Sequence, residues 1–179
     1  IVKALDDYAV PGLSVGIVAN GELVYAKGFG WRDPEKKLLA TADTVYPIGS
    51  CSKAFTSFLA GTLVDEGLLH WDTRIIDIYP EFRLRDGHAT LNVTMRDLLT
   101  HRSGMPMHDL MWYNSSILTR SDVMRRLRYL EPSCDLREYY QYNNLMYLAA
   151  GFSMEYLMAQ DWEALVTSRI LKPLGMGHT

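Results

Sequence analysis

The sequence predicts a mixed α/β fold of the α+β type, in which a β-hairpin precedes a largely helical remainder. The hairpin is predicted because Asn20-Gly21 joins two β-rich runs, and Asn-Gly is the strongest short signal for a type I′ turn. The helices are predicted by apolar residues at helical spacing and by Ser, Thr and Asp at capping positions. With 179 residues, 48% hydrophobic and 22% charged, the chain is long enough to bury a sizeable core.

The N-terminal elements follow from turn and breaker residues. Residues 1–10 are predicted as a short helix closed by Pro11-Gly12, followed by strands over residues 13–19 and 22–27. Gly28, Gly30 and the Arg32-Asp33-Pro34 break are expected to end the second strand. Because an isolated hairpin is marginal in water, the sheet is expected to need more strands than this chain supplies.

The later elements are predicted as helices. The first is expected from Ser50 to Gly67, and the second from the Thr94/Asp97 capping box to His101. A third is expected to begin at a Ser121-Asp122 cap and to carry Val123, Leu127 and Leu130 on one face. The last two are expected from Asn143 to Met158 and from an Asp161 cap to about Leu171. The helix from Asn143 is expected to be buried, since it is apolar nearly all round.

Charge and residue spacing exclude several functions. The net charge is −3 with no block of like charges, so no nucleic-acid partner is expected. The apolar runs are too short to span a membrane. The histidines and the two cysteines lack metal-ligand spacing, so no metal or cofactor is expected. No signal peptide is recognisable, which leaves cytoplasmic and extracytoplasmic locations both open.

Ser50-Cys51-Ser52-Lys53 stands at the head of the apolar helix predicted from Ser50. Positions i and i+3 share a helix face, so Ser50 and Lys53 are expected to lie one turn apart. A serine needs a base to become a nucleophile, and a partly desolvated lysine can be neutral near pH 7. The positive end of the helix dipole also favours negative charge near Ser50. On the tetrapeptide alone, a helix N-cap and a solvated surface lysine are the favoured interpretations.

Tyr142-Asn143-Asn144 forms a second candidate cluster at the start of the predicted buried helix. A tyrosine beside an ammonium can have a lowered pKa and act as general base or acid. An asparagine amide can hold a substrate carbonyl and also contact Lys53. Taken alone, a core tyrosine and an asparagine N-cap would be the better interpretation.

Five segments follow one another along the chain: Pro11-Gly12-Leu13-Ser14-Val15-Gly16, Ile48-Gly49-Ser50-Cys51-Ser52-Lys53, Asp97-Leu98-Leu99-Thr100-His101-Arg102-Ser103-Gly104, Tyr142-Asn143-Asn144 and Pro173-Leu174-Gly175-Met176. In this order they resemble the serine β-lactamase/penicillin-binding-protein superfamily, most closely its class C-like branch, the CubicO or S12 peptidase-like hydrolases. Tyr-x-Asn, where class A enzymes carry Ser-Asp-Asn, points to the class C-like branch.

The resemblance implies a role for each motif residue. Ser50 would be the acylated nucleophile, and its backbone N–H half of the oxyanion hole. Lys53 would be its proton acceptor or electrostatic partner, and Tyr142 the general base and acid. Asn144 would bind and orient the substrate amide, and it would also orient Lys53. The segment from His101 to Gly104 would be a structural turn without a catalytic role.

One family feature is missing. The resemblance implies a third motif, Lys/His-Thr/Ser/x-Gly, on a sheet strand that also supplies the second oxyanion N–H, and this chain contains no such motif. The chain therefore resembles the N-terminal part of a β-lactamase/transpeptidase-like domain without its C-terminal strands, with helix and hairpin in 1–49 and the nucleophile helix and helical subdomain in 50–179. The remainder is expected as a second polypeptide or as a part cut away, and the isolated fragment is expected to be inactive.

Three functions remain open at this point. The leading one is a serine hydrolase that forms an acyl-enzyme with an amide, ester or β-lactam carbonyl of a small molecule or peptide. The second is a non-catalytic ligand-binding or scaffolding relative on the same fold. The third is an unrelated helical domain, in which Ser50 and Tyr142 would lie far apart. Trp112 and Tyr113 are equally well interpreted as lining a site or as anchoring a loop.

Overall fold

The computed structural model describes residues 1–113 and 117–179 and divides the chain into two compact units. The first comprises residues 1–48 and 177–179, and the second comprises residues 49–176. Within the described residues, the three strands lie in the first unit and nearly all helices lie in the second. The mixed α/β fold with an N-terminal antiparallel hairpin is therefore confirmed.

The first unit is a short helix followed by a three-stranded antiparallel sheet. Its elements are α1 (Val2–Asp7), β1 (Gly12–Ala19), β2 (Glu22–Asp33) and β3 (Leu38–Leu39), with the strands in the order β1-β2-β3. Ala19 pairs with Glu22, so Asn20 and Gly21 form a two-residue turn. Their φ values of 53° and 82° are both positive, as a type I′ turn requires. The predicted hairpin is confirmed.

The second strand is longer than the sequence prediction. β2 does not end at Lys27 but continues through both glycines to Asp33. A Cβ atom at Gly28 would lie 2.3 Å from the backbone of Ala40, so this glycine allows another backbone segment to approach the strand. The glycines thus mark a close approach and not a strand end. β3 has no counterpart in the prediction, because a two-residue strand carries no alternation to recognise.

The sheet unit leaves apolar side chains and strand edges open. Val18 and Leu23 have exposed fractions of 67% and 65%. β1 and β3 are the outer strands of the sheet. Exposed apolar strands at a sheet edge are surfaces on which further strands pair.

The second unit is helical. Its elements are a 3-10 turn (Gly49–Cys51), α2 (Ser52–Asp65), α3 (Ile75–Ile78), α4 (Gly87–Asn92), α5 (Met95–Leu99), a 3-10 turn (Asp109–Met111), α6 (Arg120–Arg126), a 3-10 turn (Leu127–Tyr129), α7 (Asn144–Met158), α8 (Trp162–Val166) and a π-helical turn (Thr167–Leu171). The segment predicted from Ser50 to Gly67 begins as a 3-10 turn and ends, as α2, at Asp65. The last predicted helix runs from Trp162 to Leu171, as α8 and the π-helical turn, and Asp161 stands at its N-cap position without a side-chain capping hydrogen bond.

The helix α7 is the centre of the core. It contacts α2, α3, α5, α6 and α8, and Leu145, Met146, Ala149, Ala150 and Met154 on it are buried. Each buried large apolar side chain contributes roughly 1.5–3 kcal/mol to folding. These neighbours therefore fix the position of α7, and with it the residues at its N-terminal end.

The helix caps confirm one prediction and correct another. Thr94 and Asp97 form the predicted capping box of α5. For α6 the cap is Thr119, whose side chain accepts from the Asp122 N–H, while the Asp122 carboxylate accepts from the Thr119 N–H. The predicted Ser121-Asp122 cap is wrong because a capping box separates cap and acid by three residues, which places Asp122 inside the first turn.

Candidate active site

The four residues of the predicted site converge within the second unit. Ser50 lies in the 3-10 turn that leads into α2, and Lys53 lies in the first turn of α2. Tyr142 precedes α7 by two residues, and Asn144 is its first residue. Because α2 and α7 pack against each other, the N-terminal ends of both helices meet.

Hydrogen bonds connect all four side chains. The Ser50 Oγ lies 2.5 Å from the Tyr142 hydroxyl oxygen. The Lys53 Nζ donates to Ser50 Oγ at 3.1 Å and to Asn144 Oδ1 at 2.6 Å. It also lies 4.6 Å from the centre of the Tyr142 ring and 5.5 Å from that of the Tyr147 ring. These contacts contradict the third interpretation, in which Ser50 and Tyr142 would be far apart.

The electrostatics of the site lower the pKa of Tyr142. The pKa of its phenol lies below the ordinary value, chiefly because Lys53 acts as a donor towards the phenolic oxygen and secondly because Ser50 hydrogen-bonds to it. Lys53 itself makes contacts typical of an ammonium, since it donates to two oxygens and lies over aromatic faces. The arrangement can therefore accept a proton at Tyr142 while keeping a positive charge beside Ser50.

Asn143 holds the loop before α7 in place. Its buried side chain donates to the Met105 carbonyl at 2.9 Å and the Pro106 carbonyl at 2.6 Å, and accepts from the Met146 N–H at 2.9 Å. The N-cap interpretation of this motif thus applies to Asn143. The residues on either side of it, Tyr142 and Asn144, face Ser50 and Lys53.

His101 packs against the phenol ring of Tyr142, with the two rings tilted by 36°. It is buried, and its ring centre lies 4.7 Å from the Tyr142 ring centre and 5.1 Å from that of Tyr147. Its Nδ1 accepts from the Asn143 backbone N–H at 3.0 Å, so the proton of the neutral ring lies on Nε2. Burial, and then the charge of Lys53, lower the pKa of His101. The predicted packing role of this segment therefore includes direct support of the Tyr142 ring.

Asp109 is a site residue without any signal in the sequence analysis. Its carboxylate accepts from the Asn144 Nδ2 at 3.2 and 3.3 Å and from the Trp112 Nε1 at 3.1 Å. Both ends of the Asn144 amide are thus held by the protein, its oxygen by Lys53 and its nitrogen by Asp109. The sequence offers no spacing that could have revealed Asp109, because it lies in an irregular segment far along the chain from Asn144.

The aromatic pair after Asp109 has two different environments. Trp112 lines a cavity of about 260 Å³ together with Leu118 and Leu145. Tyr113 has an exposed fraction of 65%. Trp112 thus lines a cavity and donates to the Asp109 carboxylate.

The described residues show neither a metal cluster nor a membrane helix. Within residues 1–113 and 117–179, no group of three or more His, Cys, Asp or Glu side chains is arranged to hold a metal ion. In the same part of the chain, no helix is both long and apolar enough to cross a membrane.

Comparison with known proteins identifies the family. A model of the Beta-lactamase family matches residues 1–179. The chain belongs to the Beta-lactamase family. It is 32% identical over 188 residues to the unguisins hydrolase ungD' of Aspergillus campestris, covering all of this chain and 35% of that protein. The resemblance to the β-lactamase/penicillin-binding-protein superfamily is thereby confirmed.

Solved structures share the fold. The octameric penicillin-binding protein homologue from Pyrococcus abyssi matches with a TM-score of 0.84 and 32% identity, over 98% of this chain and 42% of that one. EstCE1, a hydrolase with promiscuous acyltransferase activity, matches with a TM-score of 0.87 and 21% identity, over 97% and 49% of the two chains. This Beta-lactamase family chain thus spans between a third and a half of the length of these proteins.

Proposed function

We propose that this protein is a serine hydrolase that acts through an acyl-enzyme on an amide, ester or β-lactam carbonyl of a small molecule or peptide. The observation that carries the proposal is the 2.5 Å contact between Ser50 Oγ and the Tyr142 hydroxyl, with the Lys53 ammonium 3.1 Å from the same Oγ. Nucleophile, base and orienting cation within hydrogen-bond reach are what acyl transfer requires. The name of the Aspergillus relative, a hydrolase, supports the same reaction class.

In the acylation step, Tyr142 acts as the base. Its phenolate takes the Ser50 hydroxyl proton as Ser50 Oγ bonds to the substrate carbonyl carbon. The carbonyl oxygen becomes an oxyanion that the Ser50 backbone N–H and the start of α2 stabilise. Collapse of this intermediate breaks the bond to the leaving amine or alcohol, which receives the proton from Tyr142.

Deacylation uses the same groups in reverse. Tyr142, now deprotonated again, takes a proton from water, and the hydroxide oxygen bonds to the acyl carbon. Ser50 then leaves with the proton that Tyr142 returns, which restores the free enzyme. Water and acyl group thus yield a free acid.

We assign Lys53 the role of electrostatic partner and not that of the base. It donates to Ser50 Oγ and Asn144 Oδ1, as an ammonium does and as a neutral amine acting as base would not need to. Its positive charge stabilises the phenolate of Tyr142 and the forming bond at Ser50. Asn144, held by Lys53 and Asp109, is the proposed contact for the substrate amide, through the N–H that remains on its nitrogen.

Further polypeptide is proposed to complete the site, either in the same chain or as a second chain. The curated Aspergillus relative is longer, since this chain covers 35% of it. The exposed apolar residues and open edges of the sheet provide a surface for additional strands. The family resemblance implies that the additional polypeptide carries the second oxyanion donor. An intact mass of 20.4 kDa for an active sample without a companion chain would contradict this.

The test measures turnover and adduct formation by the complete natural protein. Fluorescent penicillin reports adduct formation and p-nitrophenyl esters report turnover. The Ser50→Ala variant is expected to show neither adduct nor turnover. The matched control is Ser52→Ala, which removes the neighbouring hydroxyl and should react like wild type. A wild-type protein that binds these compounds reversibly, without adduct or turnover, would favour the non-catalytic relative instead.

A further inference from the structure

We propose that Asp109 is a positioning residue of the active site, which orients the Asn144 amide so that its oxygen faces Lys53. The inference rests on the proposed hydrolase function and concerns a residue outside its chemistry. Asp109 is half-buried in the 3-10 turn from Asp109 to Met111 and touches neither Ser50 nor Lys53 in the described contacts.

The orientation follows from donors and acceptors. An amide can rotate so that either its oxygen or its NH₂ group faces a neighbour, whereas a carboxylate only accepts. The Asp109 oxygens, at 3.2 and 3.3 Å from Nδ2, therefore select the NH₂ end of Asn144. The amide oxygen is then left facing the Lys53 ammonium, 2.6 Å away. The reverse orientation would place donor against donor at Lys53.

Asp109 is itself fixed by a second donor. The Trp112 indole N–H donates to Asp109 Oδ1 at 3.1 Å, the same oxygen that accepts from Asn144. A continuous series of hydrogen bonds thus runs from Trp112 through Asp109 and Asn144 to Lys53, and from there to Ser50. Lys53 and Asp109 both select this orientation of the Asn144 amide, so removing Asp109 removes one of the two groups that hold it.

The carboxylate has a second, electrostatic effect at Tyr142. The negative charge of Asp109 raises the pKa of Tyr142, in opposition to the stronger lowering by Lys53. His101 also packs against the phenol, and its Nδ1 accepts a hydrogen bond, which is the geometry of a neutral ring. Loss of the Asp109 charge should accordingly move the pH dependence of acylation to lower pH.

Two variants separate orientation from charge. Asp109→Ala removes both the hydrogen-bond acceptor that orients the amide and the negative charge. Asp109→Asn keeps an oxygen that can accept from Trp112 and Asn144 but removes the charge. The control is Asp161→Asn, at an exposed N-cap whose side chain makes no cap hydrogen bond, because it changes the net charge equally. All three are made in the complete natural protein, and their melting temperatures are compared with wild type.

The readout is the rate constant for fluorophosphonate labelling of Ser50 as a function of pH. Asp109→Ala should lower it by about tenfold or more, as expected for a lost hydrogen bond to a charged network. Asp109→Asn should keep most of the rate with its profile moved to lower pH, and Asp161→Asn should match wild type. Labelling of both Asp109 variants with the wild-type rate and profile would overturn the inference while leaving the proposed function intact. A wild-type protein not labelled at Ser50 would overturn both.

Discussion

The Ser50 Oγ lies 2.5 Å from the Tyr142 hydroxyl oxygen, although 92 residues separate the two along the chain. Only one of the two hydroxyls can donate in this contact, and the Lys53 ammonium donates to the same Ser50 oxygen. With the Ser50 oxygen accepting from Lys53, the Ser50 hydroxyl is free to donate to the Tyr142 oxygen, which is the direction of proton transfer that a serine nucleophile needs. Two motifs that are weak separately form one site through this contact.

Replacing Tyr142 by phenylalanine should remove the base while keeping the ring on His101. We expect the rate of Ser50 acylation to fall by roughly 10²–10⁴-fold, the usual contribution of a general base. Tyr129→Phe, at an exposed tyrosine, is the control and should react like wild type. Stopped-flow measurement with a fluorescent penicillin gives the rates. Comparable rates for both variants would assign the proton transfer to another group.

The rate of acylation should rise with pH through the pKa of Tyr142. The phenolate is the reactive form, so the rate increases as the proton is lost and levels off above this pKa. Because Lys53 and Ser50 lower the pKa, the midpoint should lie below the ordinary value of 10.0. The pH profile of fluorophosphonate labelling measures it. A midpoint at or above 10.0 would contradict the proposed role of the lysine.

The stability of the protein should fall in mild acid because of His101. Its pKa is lowered from 6.5 by burial and by Lys53, so the unfolded chain binds the proton more readily than the folded one. The stabilisation is complete above pH 6.5 and is lost as the pH falls through the lower folded-state pKa. His101→Asn keeps an acceptor for the Asn143 N–H and tolerates the φ of 59°, but it does not titrate.

Urea unfolding between pH 7.5 and 5 tests this effect. The wild-type free energy of unfolding should decrease over the range more steeply than that of His101→Asn. His70→Asn, at an exposed position, should retain the wild-type slope. Equal slopes for all three proteins would show that His101 does not carry the acid sensitivity.

Removing the Asp97 carboxylate should destabilise the helical unit strongly. Burial alone would raise its pKa, but hydrogen bonds from Arg137 and Thr94 outweigh this and hold the pKa below its ordinary value. The stabilisation is therefore present above pH 4 or so and is lost as the pH falls through the folded-state pKa. Asp97→Ala should cost about 3 kcal/mol at pH 7, since it breaks an ion pair with a buried member and a capping box.

Chemical denaturation at pH 7 measures the loss. The control is Asp72→Ala, which removes the carboxylate of the exposed Arg96–Asp72 pair and should lower stability far less. Similar losses for the two variants would mean that burial does not strengthen the Asp97–Arg137 pair.

Local signals account for the parts of the fold that the sequence predicts. Asn20-Gly21 determines its turn by the φ values that these two residues tolerate, and Thr94 and Asp97 cap a helix within one turn. Ser50 and Lys53 are one helical turn apart, so their contact needs no tertiary information. Such features depend on residues close in sequence and can be predicted from spacing alone.

The remaining site residues depend on the tertiary fold. Asp109 reaches Asn144 only because an irregular segment folds over the start of α7, and His101 reaches Tyr142 through the same packing. The prediction that Gly28 ends the second strand is wrong for a similar reason, because this glycine accommodates the backbone of Ala40, which is distant in sequence. No period or spacing in the sequence encodes these contacts.

The most direct test of the proposed function is peptide-level mass spectrometry of the complete natural protein after reaction with a fluorophosphonate. The account predicts one adduct, located on Ser50, that is absent from Ser50→Ala and formed far more slowly by Tyr142→Phe. An adduct on another residue, or equal labelling of wild type and Ser50→Ala, would contradict it.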